Sequence, residues 1–299
     1  MIQKPLAGLV IVLAVAATIY YFVKHPAGNS GQTVQVVAAE NFWGNIVSQI
    51  GGGHVTVTSI ISDPSADPHQ YESDAHDALA ISQAKLIITN GLGYDDFMDK
   101  LMSASPNSSR QVISVATIMD VNEDGANPHL WYNTANIPKV TAAFEAELIK
   151  LDPADQAIFE ANTKAFNQSL QPILDTINTI KTKYPHAPVA YTERVPAYLL
   201  TAASLDIKTP TGFASAIEDG NDPSPADVSA MNNLMTNHQI KVLLYNAQAT
   251  SPVTQHVRDL ATQAGIPIVG VTETIPSNEQ TFQSWQLDQV KALLHALGD

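Results

Sequence analysis

Residues 34–61 read "VQVVAAENFWGNIVSQIGGGHVTVTSII", and their reading decides the fold. "VQVVAAE" (34–40) is a short apolar run, the signature of a buried strand. "NFWGNIVSQIG" (41–51) carries apolar residues at helical spacing and closes on glycine. "HVTVTSII" (54–61) returns to β-branched alternation. The pattern continues outward. "SDAHDALAISQA" (73–84) reads as a helix with Ser73 as N-cap, and "KLIITNG" (85–91) as a buried strand ended by Asn-Gly. "YDDFMDKLMSAS" (94–105) reads as a helix and "QVISVA" (111–116) as a fourth strand. Strands alternating with helices imply a parallel sheet with helices on its faces.

A helix-rich middle follows. "IPKVTAAFEAELIKL" (137–151) is amphipathic. Residues 152–184 read as one long helix, with Asp152 as N-cap, Pro153 at the first helical position and a kink at Pro172. Ile158, Ala161, Ala165, Leu170 and Ile173 recur at helix-like spacing, and residues 153–183 would span roughly 46 Å. Strand-like runs then return at 187–192, 240–247 and 266–273, alternating with helical segments at 195–204, 224–237, 251–265 and 278–297. No strong sequence repeat is visible. The expected fold is α/β, two parallel-sheet α/β lobes joined by a long interlobe helix and preceded by an N-terminal hydrophobic segment. The corresponding divisions are 1–30 (signal peptide or anchor with linker), 31–136 (N-terminal lobe), 137–186 (helical connector) and 187–299 (C-terminal lobe).

Composition bounds the function. Asp plus Glu number 29 against 15 Lys plus Arg, which argues against a nucleic-acid surface and suits a protein that meets cations. The sequence contains no cysteine, so disulfides, thiolate sites, cysteine nucleophiles and cysteine lipidation are excluded. From Leu6 to Val23 there is no charged residue, and a helix of that length approaches the hydrocarbon thickness of a bilayer. The segment is a secretory signal or an uncleaved anchor; "AVAA" (14–17) offers a cleavage site, but "TIYYFV" would then open the mature chain, so the anchor is favoured. On either reading the chain beyond about residue 31 lies outside the cytoplasm.

Four side chains in loops at or after strand-like runs could carry chemistry. His69 lies in "DPHQYE" (67–72), His129 in "NPHLWYN" (127–133), Glu193 in "AYTERVP" (190–196) and Glu273 in "GVTETIP" (270–276). Such loops line the crevice where open α/β sheets bind ligands. Proline stiffens the backbone before each histidine. Two neutral imidazoles and two carboxylates suit a divalent first-row ion such as Zn²⁺ or Mn²⁺. The other histidines read as structural or exposed, and Trp43, Trp131 and Trp285 as packing residues. A metal-dependent hydrolase using the same ligands is the competing reading. Against it, there is no His-Glu-x-x-His helix and no Gly-x-Ser-x-Gly elbow.

These motifs resemble those of the solute-binding proteins of zinc/manganese ABC importers, over most of residues 34–297. "DPHQYE" is similar to the family's first-ligand loop and "NPHLWYN" to its second. "AYTERVPAYL" is similar to the segment of the third ligand, His in many members and Glu in manganese-type ones, and "VTETIP" to that of the last, usually Asp. "DPADQAIFEANTKAF" (152–166) resembles the family's interlobe helix. The resemblance implies a metal set of His69, His129, Glu193 and Glu273 and one Zn or Mn ion carried as solute. It also implies an ABC permease as partner and no enzymatic activity, in a protein expected to be monomeric. Three departures stand out. Asn246, in "LLYNAQATSP" (243–252), occupies a position where many members have Glu. There is no His-rich acidic loop, which leans towards manganese. There is also no lipid-accepting cysteine, so membrane attachment would fall to the N-terminal segment.

Overall fold

β1 (Val34–Glu40), α1 (Asn41–Gly51) and β2 (Val55–Ile61) form the strand–helix–strand unit expected from residues 34–61, with β1 and β2 parallel. The structure is a computed structural model, and it describes residues 33–63, 71 and 73–298. α2 (Ala75–Gln83), β3 (Leu86–Thr89), α3 (Phe97–Ala104) and β4 (Gln111–Ser114) complete a parallel sheet of order β2-β1-β3-β4. β1 and β3 are central and covered on both faces, which is why each reads as a continuous apolar run. α1 lies close on β2: a Cβ on Gly44 would stand 2.1 Å from Ser59 Oγ.

Two local readings are corrected. Asp74, not Ser73, caps α2, because its carboxylate accepts from the N–H groups of His76 and Asp77 while Asp77 bonds back to it. β4 stops at Ser114, opposite the last residue of β3, and the chain turns into α4 (Val115–Met119). Two residues on, the amide of Ala116 bonds to the Asn90 carbonyl beyond the end of β3.

The connector is α5 (Ile137–Leu151), a short 3₁₀ turn at Pro153–Asp155, α6 (Gln156–Ser169) and α7 (Gln171–Lys183). α6 and α7 make up the long interlobe helix. Where one helix was expected there are two, meeting at Leu170, with Pro172 in the first turn of α7, where the missing proline N–H leaves no broken bond. α6 packs on α1 and α5, and α7 packs on α12 (Phe282–Ala296), so the connector belongs to both lobes.

The second lobe runs β5 (Pro188–Tyr191), α8 (Ala197–Ala202), β6 (Asp206–Ile207), α9 (Thr211–Glu218), α10 (Pro225–Thr236), β7 (Val242–Asn246), α11 (Pro252–Gln263), β8 (Ile268–Val271) and α12. Its parallel sheet has the order β6-β5-β7-β8, the same topology as the first. β6 and α9 escaped the sequence reading. A two-residue strand has no alternation to detect, and "TGFASAIE" is interrupted by glycine and serine.

One hydrophobic core runs through both lobes. Phe42 of α1 stacks on Trp131 at 4.1 Å and faces Trp285 of α12 at 6.4 Å, and Trp285 packs against Tyr132 and Phe282. The tryptophans are packing residues, as expected. Aromatic pairs of this kind contribute about 0.5–1.5 kcal/mol each beyond their burial, so wide separation of the lobes would be costly.

Candidate metal centre

Each sheet has a switch point where its strand order reverses, between β1 and β3 in the first lobe and between β5 and β7 in the second. Crevices at the carboxyl ends of such strands are where α/β folds place ligands. Glu193 lies two residues past β5, Asn246 ends β7, and Glu273 lies two residues past β8. His129 arrives in the loop that follows α4. His129, Glu193 and Glu273 converge, each offering a ligand atom within 4.8 Å of the other two. His129 and Glu273 are 0% exposed and Glu193 is 1% exposed. His69 lies outside the described residues.

The imidazole has one defined orientation. Asn127 donates through Nδ2 to the Arg194 carbonyl, which turns its Oδ1 towards the histidine. That oxygen accepts from the His129 backbone N–H at 3.1 Å and sits 2.6 Å from Nδ1. Nδ1 is therefore the protonated nitrogen, and Nε2 faces Glu273 Oε2 at 3.5 Å. A ligating histidine is commonly fixed through its other nitrogen in this way. The loop is pinned from the second lobe: Arg194 Nη1 donates to the Gly125 carbonyl and Tyr198 to that of Asn127, while Glu218 holds Arg194 with both carboxylate oxygens.

The carboxylates are held as firmly. Asn246 Nδ2 donates to Glu193 Oε2 and, at 2.7 Å, to Glu273 Oε1. A neutral amide thus bridges two acids that would otherwise repel. Tyr94 donates to Glu273 Oε2 at 2.8 Å. Burial, with the charges of Glu273 and Glu40, holds the Tyr94 phenol well above its ordinary pKa, so it stays a donor. Gln248 accepts from the N–H groups of Glu273 and Thr274. Asn41, at the start of α1, exchanges two bonds with Ile275 at 3.0 and 2.9 Å. Tyr132 donates to the Thr272 carbonyl. Residues from both lobes therefore fix the Glu273 segment.

Sequence reasoning found three converging residues and missed their supports. Tyr94 opened a stretch read as a helix, and Asn127 and Gln248 sit in ordinary turn-like stretches; the only signal was Asn127 beside the Pro-His pair. Among the described residues two further groups of potential ligands occur, and both have local explanations. His54 pairs with Asp155 beside Asp152 and is partly exposed, tying the start of β2 to the turn before α6. Asp74, His76 and Asp77 belong to the α2 cap.

Two carboxylates and one imidazole, buried between the lobes, have the donor chemistry that suits a divalent cation. Uncompensated, two charges so deeply buried carry a desolvation cost of several kcal/mol each, and a cation offsets it. The class defined by fold and geometry is a two-lobed α/β protein in which a histidine and two glutamates converge, buried, between the lobes.

Comparison with known proteins narrows the class. The family model of the zinc-uptake complex component A, periplasmic, matches residues 36–296, and the chain belongs to that family. Manganese-binding lipoprotein MntA of Halalkalibacterium halodurans is 28% identical over 159 residues, 52% of each chain. MntA of Bacillus subtilis is 25% identical over 253 residues, 80% of this chain and 79% of that one. The matched stretch spans about half the length of the first of these relatives. Among solved structures, the periplasmic zinc-binding protein TroA from Treponema pallidum has a TM-score of 0.76 at 19% identity, covering 90% of this chain and 100% of its own. FpvC from Pseudomonas aeruginosa, in complex with Mn²⁺, has a TM-score of 0.74 at 20% identity over 89% of this chain and 98% of its own. These structures share the fold.

Proposed function

We propose that the protein captures a divalent transition metal, Zn²⁺ or Mn²⁺, outside the cytoplasm and delivers it to the permease of an ABC importer. The observation that carries this reading is the convergence of His129, Glu193 and Glu273, buried and within 4.8 Å of one another, in the cleft between the lobes. His69 is proposed as the fourth ligand. The family is one of metal-uptake components rather than enzymes, and nothing in the site supports the hydrolase alternative. The divisions 1–30, 31–136, 137–186 and 187–299 are proposed as the domain organisation, in a protein that works as a monomer. Elemental analysis of protein purified without chelators, followed by competition between Mn²⁺ and Zn²⁺, tests the reading. Bound metal in stoichiometric amount supports it, and a chain that takes up neither ion overturns it.

Attachment to the membrane is proposed to run through the apolar segment 6–23, since the sequence has no cysteine to carry a lipid. Among the described residues no helix is long and apolar enough to cross a membrane, and segment 6–23 lies outside them. Tethering raises the concentration of loaded protein near a permease. The full chain is expected to fractionate with membranes, and a chain starting near Gly31 to be soluble and bind metal equally well. A native N-terminus near Ala17, on protein free in the external medium, would show instead that the segment is cleaved.

A further inference from the structure

The two sheets share one strand order, and their registers match residue to residue. Val36, Val37 and Ala38 lie opposite Leu86, Ile87 and Ile88; Val189, Ala190 and Tyr191 lie opposite Val242, Leu243 and Leu244. The sequences of the second strands agree with this superposition, "KLIITN" at 85–90 against "KVLLYN" at 241–246. Carried two residues onward, the match places Glu40 on Glu193 and Asn90 on Asn246. Glu40 thus occupies, at the switch point of the first sheet, the position that a converging carboxylate occupies in the second.

Its environment is that of an uncompensated buried acid. Glu40 is 0% exposed, and among the described residues neither carboxylate oxygen has a hydrogen-bond partner in another residue, its own backbone N–H being the one group that lowers its pKa. It precedes α1 yet makes no capping bond. Asn90, the counterpart of the bridging Asn246, is turned elsewhere: it accepts from Trp43 Nε1 and donates to the carbonyls of Gly91 and Pro128. The charge of Glu40 is felt by Tyr94, whose hydroxyl is bonded to Glu273. Burial, then the charge of Asp95, pushes the Glu40 carboxyl well above the usual carboxylate range. A buried carboxylate without a donor is destabilising, and no positively charged side chain is paired with it among the described residues.

We propose that Glu40 is a further carboxylate of the metal site, the first lobe's counterpart of Glu193, and that its oxygens favour Mn²⁺ over Zn²⁺. The inference rests on the metal-binding reading above. Zn²⁺ is satisfied by four ligands in a tetrahedron. Mn²⁺ accepts more donors and prefers carboxylate oxygen, so an added carboxylate benefits it more.

The test compares wild type with Glu40→Gln, which keeps the shape and removes the charge. Mn²⁺ and Zn²⁺ affinities are measured by competition, with the electron paramagnetic resonance spectrum of bound Mn²⁺ and melting of the metal-free proteins alongside. The variant is expected to lose Mn²⁺ affinity by more than about 10-fold, to lose much less for Zn²⁺, to change the Mn²⁺ spectrum, and to melt at or above wild type without metal. Unchanged affinities, or equal losses for both ions, overturn the proposal. Should Glu40→Gln fail to fold, Glu40→Asp, with the charge kept and the reach shortened, decides by the same comparison. Wild type that binds neither metal refutes the function itself, whereas normal wild-type binding with an indifferent Glu40→Gln refutes only the role of Glu40.

Discussion

His129→Ala is expected to lower metal affinity by more than about 100-fold, beyond the 10- to 100-fold typical of removing a group that only orients a ligand. Three features set the size of the effect. His129 is the one nitrogen donor in the converging set. Its ring is oriented through Asn127, so Nε2 is presented in one fixed direction. It is also fully buried, so water cannot take its place without rearrangement. Asn246→Ala provides the contrast: all donors remain, but Glu193 and Glu273 lose their shared amide, and a loss of about 10- to 100-fold is expected. Titration calorimetry with Mn²⁺ and Zn²⁺, with melting of the metal-free variants as a folding control, reads both. Normal binding by a folded His129→Ala would show that this cleft is not the metal site.

Metal loading is expected to be the largest single effect on stability. An ion that binds only the folded chain stabilises it by about 4 kcal/mol when free ion exceeds the dissociation constant about 1,000-fold. For a folded unit of this size that corresponds to a rise in melting temperature of about 10 °C. The physical source is the relief of Glu193 and Glu273, buried side by side and bridged by Asn246. Differential scanning calorimetry with saturating Mn²⁺, then with excess chelator, measures the rise and its reversal. A melting temperature indifferent to both additions would mean that the buried carboxylates are already compensated without an ion.

Much of the fold was legible in the sequence because its central strands are covered on both faces. Residues 34–40, 85–91, 187–192 and 240–247 read as continuous apolar runs for that reason, and the structure places the central strands β1, β3, β5 and β7 within them; 266–273 holds β8, an edge strand. Amphipathic periodicity placed α5 at Ile137–Leu151. What escaped lacked a periodic signal: β6 has two residues, and β4 gave way to α4 once its partner strand ended. The repeat relating the lobes also escaped, since it survives as strand order and register while few side chains are held in common.

The site divides along the same line. The sequence alone determined which residue types could bind a cation, because Pro-His loops and acids at strand ends are local features. It also determined that cysteine chemistry plays no part. Only the tertiary structure decided that His129, Glu193 and Glu273 meet, that Asn246 bridges the two acids, and that Asn127 aims the imidazole. It alone brought Glu40, at the end of an ordinary-looking strand, into correspondence with Glu193. The reason is physical: a carboxylate's role follows from its burial and from the donors around it, and those come from segments as far apart as Tyr94 and Glu273. Local sequence specifies the strands. The packing of two sheets back to one shared core specifies which of their ends face each other.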